Sequence, residues 1–165
     1  MKGVISGRRS AYRIITAIYV LYFAWFFGVG LMPAEATEYN IIGEINIPAI
    51  NLSSDVAKLN LENGRLNTPA EIVGSFTRAK NKTLLIGHAS SVFREAKNLK
   101  LSDKIIYGNK TYEIIQIDYR AKSEISMNKL LASSENDTII IMTCAGQDLG
   151  DGDATHRLII TATRI

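Results

Sequence analysis

Three residues of this 165-residue chain combine a reactive side chain with a place where a strand-like run meets a loop: His88, Cys144 and Arg157. Cys144 is the only cysteine, and it follows Thr138-Ile139-Ile140-Ile141-Met142-Thr143, whose β-branched and aliphatic residues favour a buried, extended segment. Gly87-His88 closes an earlier apolar run, Thr83-Leu84-Leu85-Ile86, and Arg157 opens a later one, Leu158-Ile159-Ile160-Thr161-Ala162-Thr163. Taken singly, each has an ordinary explanation. A lone thiol is commonly a small buried hydrophobe, a histidine a loop or core residue, and an arginine at a strand end a solvated one. Three such groups at three junctions occupy the usual address of catalytic side chains on a rigid scaffold.

Each group brings a distinct chemistry. The thiolate is the nucleophilic form, and an ordinary thiol of pKa about 8.5 is only a few per cent thiolate at pH 7 unless a cation lowers it. An imidazole can give a proton to a leaving amine and take one from an incoming amine. A guanidinium keeps its proton, so it is a poor base but a lasting donor to an oxyanion or to a bound peptide backbone. Nucleophile, proton carrier and oxyanion holder are what amide exchange requires, and no metal or other cofactor is needed.

A hairpin around the loop Ala145–His156 supplies part of the geometry. A symmetric antiparallel register sets Cys144 opposite Arg157, with Cα atoms about 4.5–5.5 Å apart and side chains on one face. A bulge between them would flip that relation. Thr143 is a candidate for touching substrate; its other reading is a plain β-former. His156, the second histidine, turns to the face opposite Arg157 by strand alternation. Asp148, Asp151 and Asp153 share their loop with three glycines, but the spacing matches no full calcium-binding loop, and a solvated turn is the simpler reading.

At these residues the chain resembles the sortases, the cysteine transpeptidases of bacterial cell surfaces. Their pattern is a His after a Gly, a strand ending in Thr-Leu-x-Thr-Cys, and an Arg opening the last strand. Here Gly87-His88, Ile140-Ile141-Met142-Thr143-Cys144 and Arg157 stand in those places. Ile45-Asn46-Ile47-Pro48-Ala49-Ile50 resembles the family's opening strands, and the order of elements fits from about Ile41 to the end. Ile140 and Ile141 replace the usual Thr and Leu, a departure that still keeps a buried strand. The resemblance implies a closed eight-stranded β-barrel with short connecting helices, and catalysis by His88, Cys144 and Arg157. It further implies surface proteins bearing a C-terminal motif like Leu-Pro-x-Thr-Gly as substrates. The acyl part would pass through a Cys thioacyl intermediate to an amine on the cell wall or on a pilin. Two alternatives stand beside it. An L,D-transpeptidase is also exported and built on Cys and His, but sets its Cys in a Ser/Thr-x-Gly-Cys context. An inactive surface-binding module could have kept the barrel. A papain-like hydrolase would place Cys before His in the chain.

The elements that must position these residues are short and mostly extended. Residues 41–165 read as one catalytic domain, enough for a modest core. Within it, Ile41–Ile47 reads as strand. Pro48 interrupts the ladder, and Ile50-Asn51-Leu52 resumes it at an edge or corner. Ser53-Ser54-Asp55 suggests a cap for a short helix over Val56–Leu61, followed by a turn at Asn63-Gly64. Leu66–Ala79 reads as loop and Val92–Leu101 as a short helix. Lys104–Tyr107 and Lys110–Arg120 form a hairpin about Gly108-Asn109, and Ser126–Leu131 makes a helical turn or two. Many short strands with small helices between them suggest an all-β sandwich or barrel, which the resemblance narrows to the barrel.

Before this domain lies a different composition. Residues 1–13 carry Lys2, Arg8, Arg9 and Arg13 and no acid, and residues 14–32 carry no charge. As a helix those nineteen residues would span about 28 Å, close to a bilayer core of about 30 Å. The flanking positives predict a cytoplasmic tail, a single transmembrane anchor, a linker over 33–40 and an extracytoplasmic domain. Ala34-Glu35-Ala36 has the small-x-small form of a cleavage site, so a removed leader is the alternative, though nineteen apolar residues exceed a usual leader core. Net charge is +3, from nineteen basic and sixteen acidic residues. Four of those basic residues precede Ile14, leaving the domain near −1, so no basic face for nucleic acid is implied.

Overall fold

The computed structural model describes residues 38–62, 65–150 and 153–165. Within them lie ten strands: β1 (Ile41–Ile47), β2 (Leu52–Lys58), β3 (Leu61–Glu62), β4 (Arg65–Leu66), β5 (Val73–Ala79), β6 (Lys82–Ile86), β7 (Lys104–Tyr107), β8 (Lys110–Ala121), β9 (Thr138–Gly150) and β10 (Asp153–Arg164). Eight close a barrel in the order β1-β2-β5-β6-β9-β10-β8-β7, while β3 and β4 pair separately. The expected closed eight-stranded barrel is therefore present. Most neighbours are antiparallel, but β2–β5 and β6–β9 are parallel. Parallel neighbours need long crossovers, and the one from β6 to β9 spans residues 87–137 and carries β7 and β8 on the way.

Side chains from all eight barrel strands meet inside, among them Ile45, Val56, Val73, Leu85, Ile105, Ile114, Ile141 and Ile160. Outside the barrel, a second cluster of Leu84, Ile140, Ile159 and Leu131 covers β6, β9 and β10, with Phe76, Ile86 and Met142 packed against it. The run Ile139–Met142 thus sends its odd residues inward and its even residues into the outer cluster. Burial on both faces explains why that stretch is apolar without alternation.

Several local expectations give way to tertiary packing. Residues 53–58 are strand, not a capped helix, because Val56 and Ala57 are fully buried in the barrel wall. Pro48–Ile50 form a single 3₁₀ turn that reverses the chain, so Ile50 does not resume the strand, and β2 returns antiparallel beside β1. The stretch read as loop contains β5, whose small residues Gly74 and Ser75 are buried. A Cβ on Gly74 would lie 2.5 Å from Leu59 Cδ1, so this strand gives up apolar bulk to admit its neighbour. Residues 92–101 make successive turns with one 3₁₀ helix, Ala96–Asn98, rather than a longer helix. Phe93, Ala96 and Leu99 are buried at a spacing of three, the 3₁₀ period. The β7–β8 hairpin and the helical turn Met127–Leu130 lie where the sequence put them. The tail, the anchor, Ala34–Ala36 and the Asn63-Gly64 turn fall outside the described residues. Among the described residues no helix is long and apolar enough to cross a membrane.

Candidate active site

Parallel pairing of β6 and β9 brings His88 to Cys144. Their register runs from Lys82 opposite Thr138 to Ile86 opposite Met142. Extended by two residues, that register sets His88 beside Cys144 on the outer face, and both do line one groove. On the other side of β9 lies β10, where Arg157 pairs with Cys144 in the symmetric register. The thiol-bearing strand is thus flanked by one strand leading to the histidine and one carrying the arginine. Both strands of the hairpin run past the expected loop boundaries, to Gly150 and from Asp153. Its bulges fall beyond the Cys144–Arg157 pair, between Asp153 and Ala154 and between Ala154 and His156, so they leave that pair on one face.

The segment that carries His88 is held from two sides. The His88 carbonyl accepts from the backbone N–H of Phe93 at 3.0 Å and of Ser91 at 3.3 Å, closing a tight turn. Gly87 has no room for a side chain, since a Cβ would lie 2.4 Å from Val92 Cγ1 and 2.7 Å from Phe93 Cδ2. From the barrel side, Thr143 Oγ1 donates to the Gly87 carbonyl at 2.8 Å. The β6–β9 ladder stops at Ile86 and Met142, and this side-chain bond supplies the next link. Thr143 is 3 % exposed; its hydroxyl serves the backbone beside His88, and the residue also borders the groove of the site.

His88, Cys144 and Arg157 line one groove of about 950 Å³, whose other walls include Phe76, Ile86, Met127, Leu131 and Met142. A smaller pocket of about 270 Å³ shares His88, Cys144 and Asp153 and adds Ser90 and Asp148. The arrangement offers a thiol, an imidazole and a guanidinium to one extended, largely apolar ligand, with a second approach beside the thiol.

The Arg157 side chain is only 14 % exposed and is held firmly. Its Nη1 donates to the carbonyls of Ala154 at 2.8 Å and His156 at 2.9 Å, and its Nη2 donates to Asp153 Oδ1 at 2.6 Å. Asp153 Oδ2 accepts from Lys122 Nζ. Hydrogen bonds from Lys122 and then from Arg157 hold the Asp153 carboxyl far below the usual carboxylate range. Asp148 is used locally, accepting from the Gly150 N–H at 2.8 Å, and Asp151 is outside the described residues. His156 lies on the face opposite Arg157, stacked on Tyr119 with ring centroids 4.8 Å apart, its Nδ1 2.8 Å from Thr155 Oγ1.

Asp153 had appeared in the sequence only as one acid of a solvated turn. Its signal was its place four residues before Arg157, which in a regular strand is about 13 Å away and out of reach. Phe76 was missed with the strand that carries it.

The sequence matches the family model described as Sortase domain over residues 45–165. No curated protein sequence matches it significantly. Among solved structures, a lid mutant of sortase A from Corynebacterium diphtheriae is 21% identical, covering 79% of this chain and 73% of that one, with a TM-score of 0.61. Sortase A of Listeria monocytogenes is 17% identical, with 76% and 88% covered and a TM-score of 0.60. Sortase C1 of Streptococcus agalactiae is 20% identical, with 88% and 84% covered and a TM-score of 0.60.

Proposed function

The chain belongs to the sortase family, and we propose that it is a membrane-anchored cysteine transpeptidase acting on surface proteins that end in a Leu-Pro-x-Thr-Gly-like motif. That membership leaves the L,D-transpeptidase alternative without support. The observation that carries the reading is the convergence of His88, Cys144 and Arg157 on one groove. In this reading the motif lies along the groove with its Thr carbonyl at Cys144. His88 takes the thiol proton as the Cys144 sulfur adds to the carbonyl carbon, and the oxygen takes up negative charge facing Arg157. His88 protonates the departing Gly nitrogen, the C–N bond breaks, and a thioester to Cys144 remains. An amine on the cell wall or on another surface protein then enters. His88 accepts its proton as the new amide forms and returns it to the departing sulfur, which regenerates the thiol. Thr143 fixes the backbone beside His88 and, lining the same groove, stays a candidate for touching substrate. Residues 14–32 would hold the domain outside the membrane, with residues 1–13 inside.

The direct test incubates the purified full chain with a library of sorting peptides and candidate amines and searches for a thioacyl adduct by intact-mass spectrometry. An adduct on Cys144 that an amine resolves is the expected result. A protein that binds the peptide but never acylates is a surface-binding module, and the proposal fails. Protease added to intact cells should remove the domain and spare an N-terminal tag; a protected domain would overturn the topology.

A further inference from the structure

An arginine held in the wrong orientation cannot serve a developing oxyanion, and the surroundings of Arg157 bear on how its orientation is set. In a regular strand, residues four apart lie about 13 Å from each other. Asp153 and Arg157 nevertheless meet at 2.6 Å, beside two register shifts in the β9–β10 pairing that place two extra residues on β9. Bulges re-aim side chains and backbone groups, and are frequent beside active sites. Here they lie opposite the start of β10, where Asp153 Oδ1 and the carbonyls of Ala154 and His156 all accept from the guanidinium. A guanidinium has five N–H donors. Three are engaged in this cradle. The second oxygen of Asp153 is tied to Lys122, just after β8, so the carboxylate is itself fixed.

We propose that Asp153 is a positioning residue for the transfer reaction, clamping the Arg157 guanidinium in a cradle with the carbonyls of Ala154 and His156 so that it faces the acyl oxygen. The inference rests on the transpeptidase reading above. Asp153 lines both the large groove and the smaller pocket, but its carboxylate is engaged by two cations and has no proton to give in the range where proteins are assayed. It therefore acts through Arg157. The carbonyls of Ala154 and His156 are fixed by the backbone, which leaves Asp153 as the part of the cradle a substitution can remove.

The test compares the purified full chain with its Asp153→Asn and Asp153→Ala variants in two measurements. The first is turnover of a sorting peptide and an amine. Loosening a group that must meet the transition state lowers kcat by about ten- to a hundredfold, while KM stays within about twofold. Asparagine should fall less than alanine, because its amide oxygen can still accept from Nη2. The second is the rate of phenylglyoxal labelling at Arg157, read by peptide mass spectrometry, which should rise several-fold in both variants. Wild-type kcat in Asp153→Ala, or unchanged labelling of Arg157, overturns the inference. If the wild-type protein acylates no peptide, the transpeptidase reading fails, and the labelling rates alone decide whether Asp153 orders Arg157. Circular dichroism checks the fold. Should alanine unfold the protein, the asparagine variant carries both measurements.

Discussion

Replacing Thr143 with valine removes one hydroxyl from the barrel wall and leaves the shape almost unchanged. That hydroxyl donates to the Gly87 carbonyl at 2.8 Å, at the point where the β6–β9 ladder has run out. Leaving a buried carbonyl short of its donor costs about 1–3 kcal/mol. For a domain of this size each kcal/mol lowers Tm by about 3–5 °C, so the melting point should fall by roughly 3–15 °C. The consequence for catalysis is more specific. Gly87 immediately precedes His88, and displacing a catalytic group by about 1 Å can cost up to a hundredfold in rate. Thr143→Val should therefore lower kcat about tenfold or more while KM for the sorting peptide barely moves. Thr143→Ser keeps the hydroxyl and should restore most of both losses. The assays are thermal melting by circular dichroism and steady-state transfer with saturating amine. A valine variant that melts early yet keeps wild-type kcat would reduce the bond to a fold clamp. One unchanged in both would refute the reasoning outright.

Cys144→Ala should abolish cleavage and transfer together, with no adduct by mass spectrometry, because no other thiol exists to carry the acyl group. His88→Ala should fall nearly as far, whereas His156→Ala should keep most activity, since its ring faces Tyr119 across the strand from Arg157; the reverse ranking would mean the histidines are misassigned. Arg157→Lys should stay clearly impaired in the same transfer assay, because a point charge cannot fill the fork that Asp153, Ala154 and His156 hold. Gly87→Ala should cost about 1–3 kcal/mol in urea unfolding, since the new methyl meets the buried Phe93 ring. The Tyr112 hydroxyl, buried and hydrogen-bonded to Asp137, has its pKa pushed up to about 12 from the ordinary 10.0. The unfolded chain releases that proton first, so stability is full below about pH 10 and declines as pH rises toward 12. Tyr112→Phe should flatten that decline in alkaline unfolding curves.

The reactive residues were legible because each closes or opens an apolar run, and runs of Ile and Leu in this chain have little choice but to be strands. The face shared by Cys144 and Arg157 was legible for the same reason: two strands joined by one loop have a short menu of registers. His88 was different. Nothing local in Thr83–His88 says that β6 pairs with β9 in parallel, across a crossover of some fifty residues. Only the closed barrel, in which each strand needs two partners, brings His88 level with Cys144. The misread stretches fail for a related cause. Residues 53–58 and 73–76 hold serine, aspartate and glycine, whose local preferences favour caps and turns. They are strands because Val56, Ala57 and Val73 fill the barrel and because Gly74 yields space to Leu59. Asp153 is the hardest case. Its role depends on bulges, which add residues to a strand without changing its composition, so an alternating pattern cannot reveal them. The contact between Asp153 and Arg157 forms where the β9–β10 pairing departs from regular register beyond the thiol. Both extra residues lie on β9, so the strand that carries the nucleophile is also the one that departs from regular pairing opposite Asp153 and Ala154.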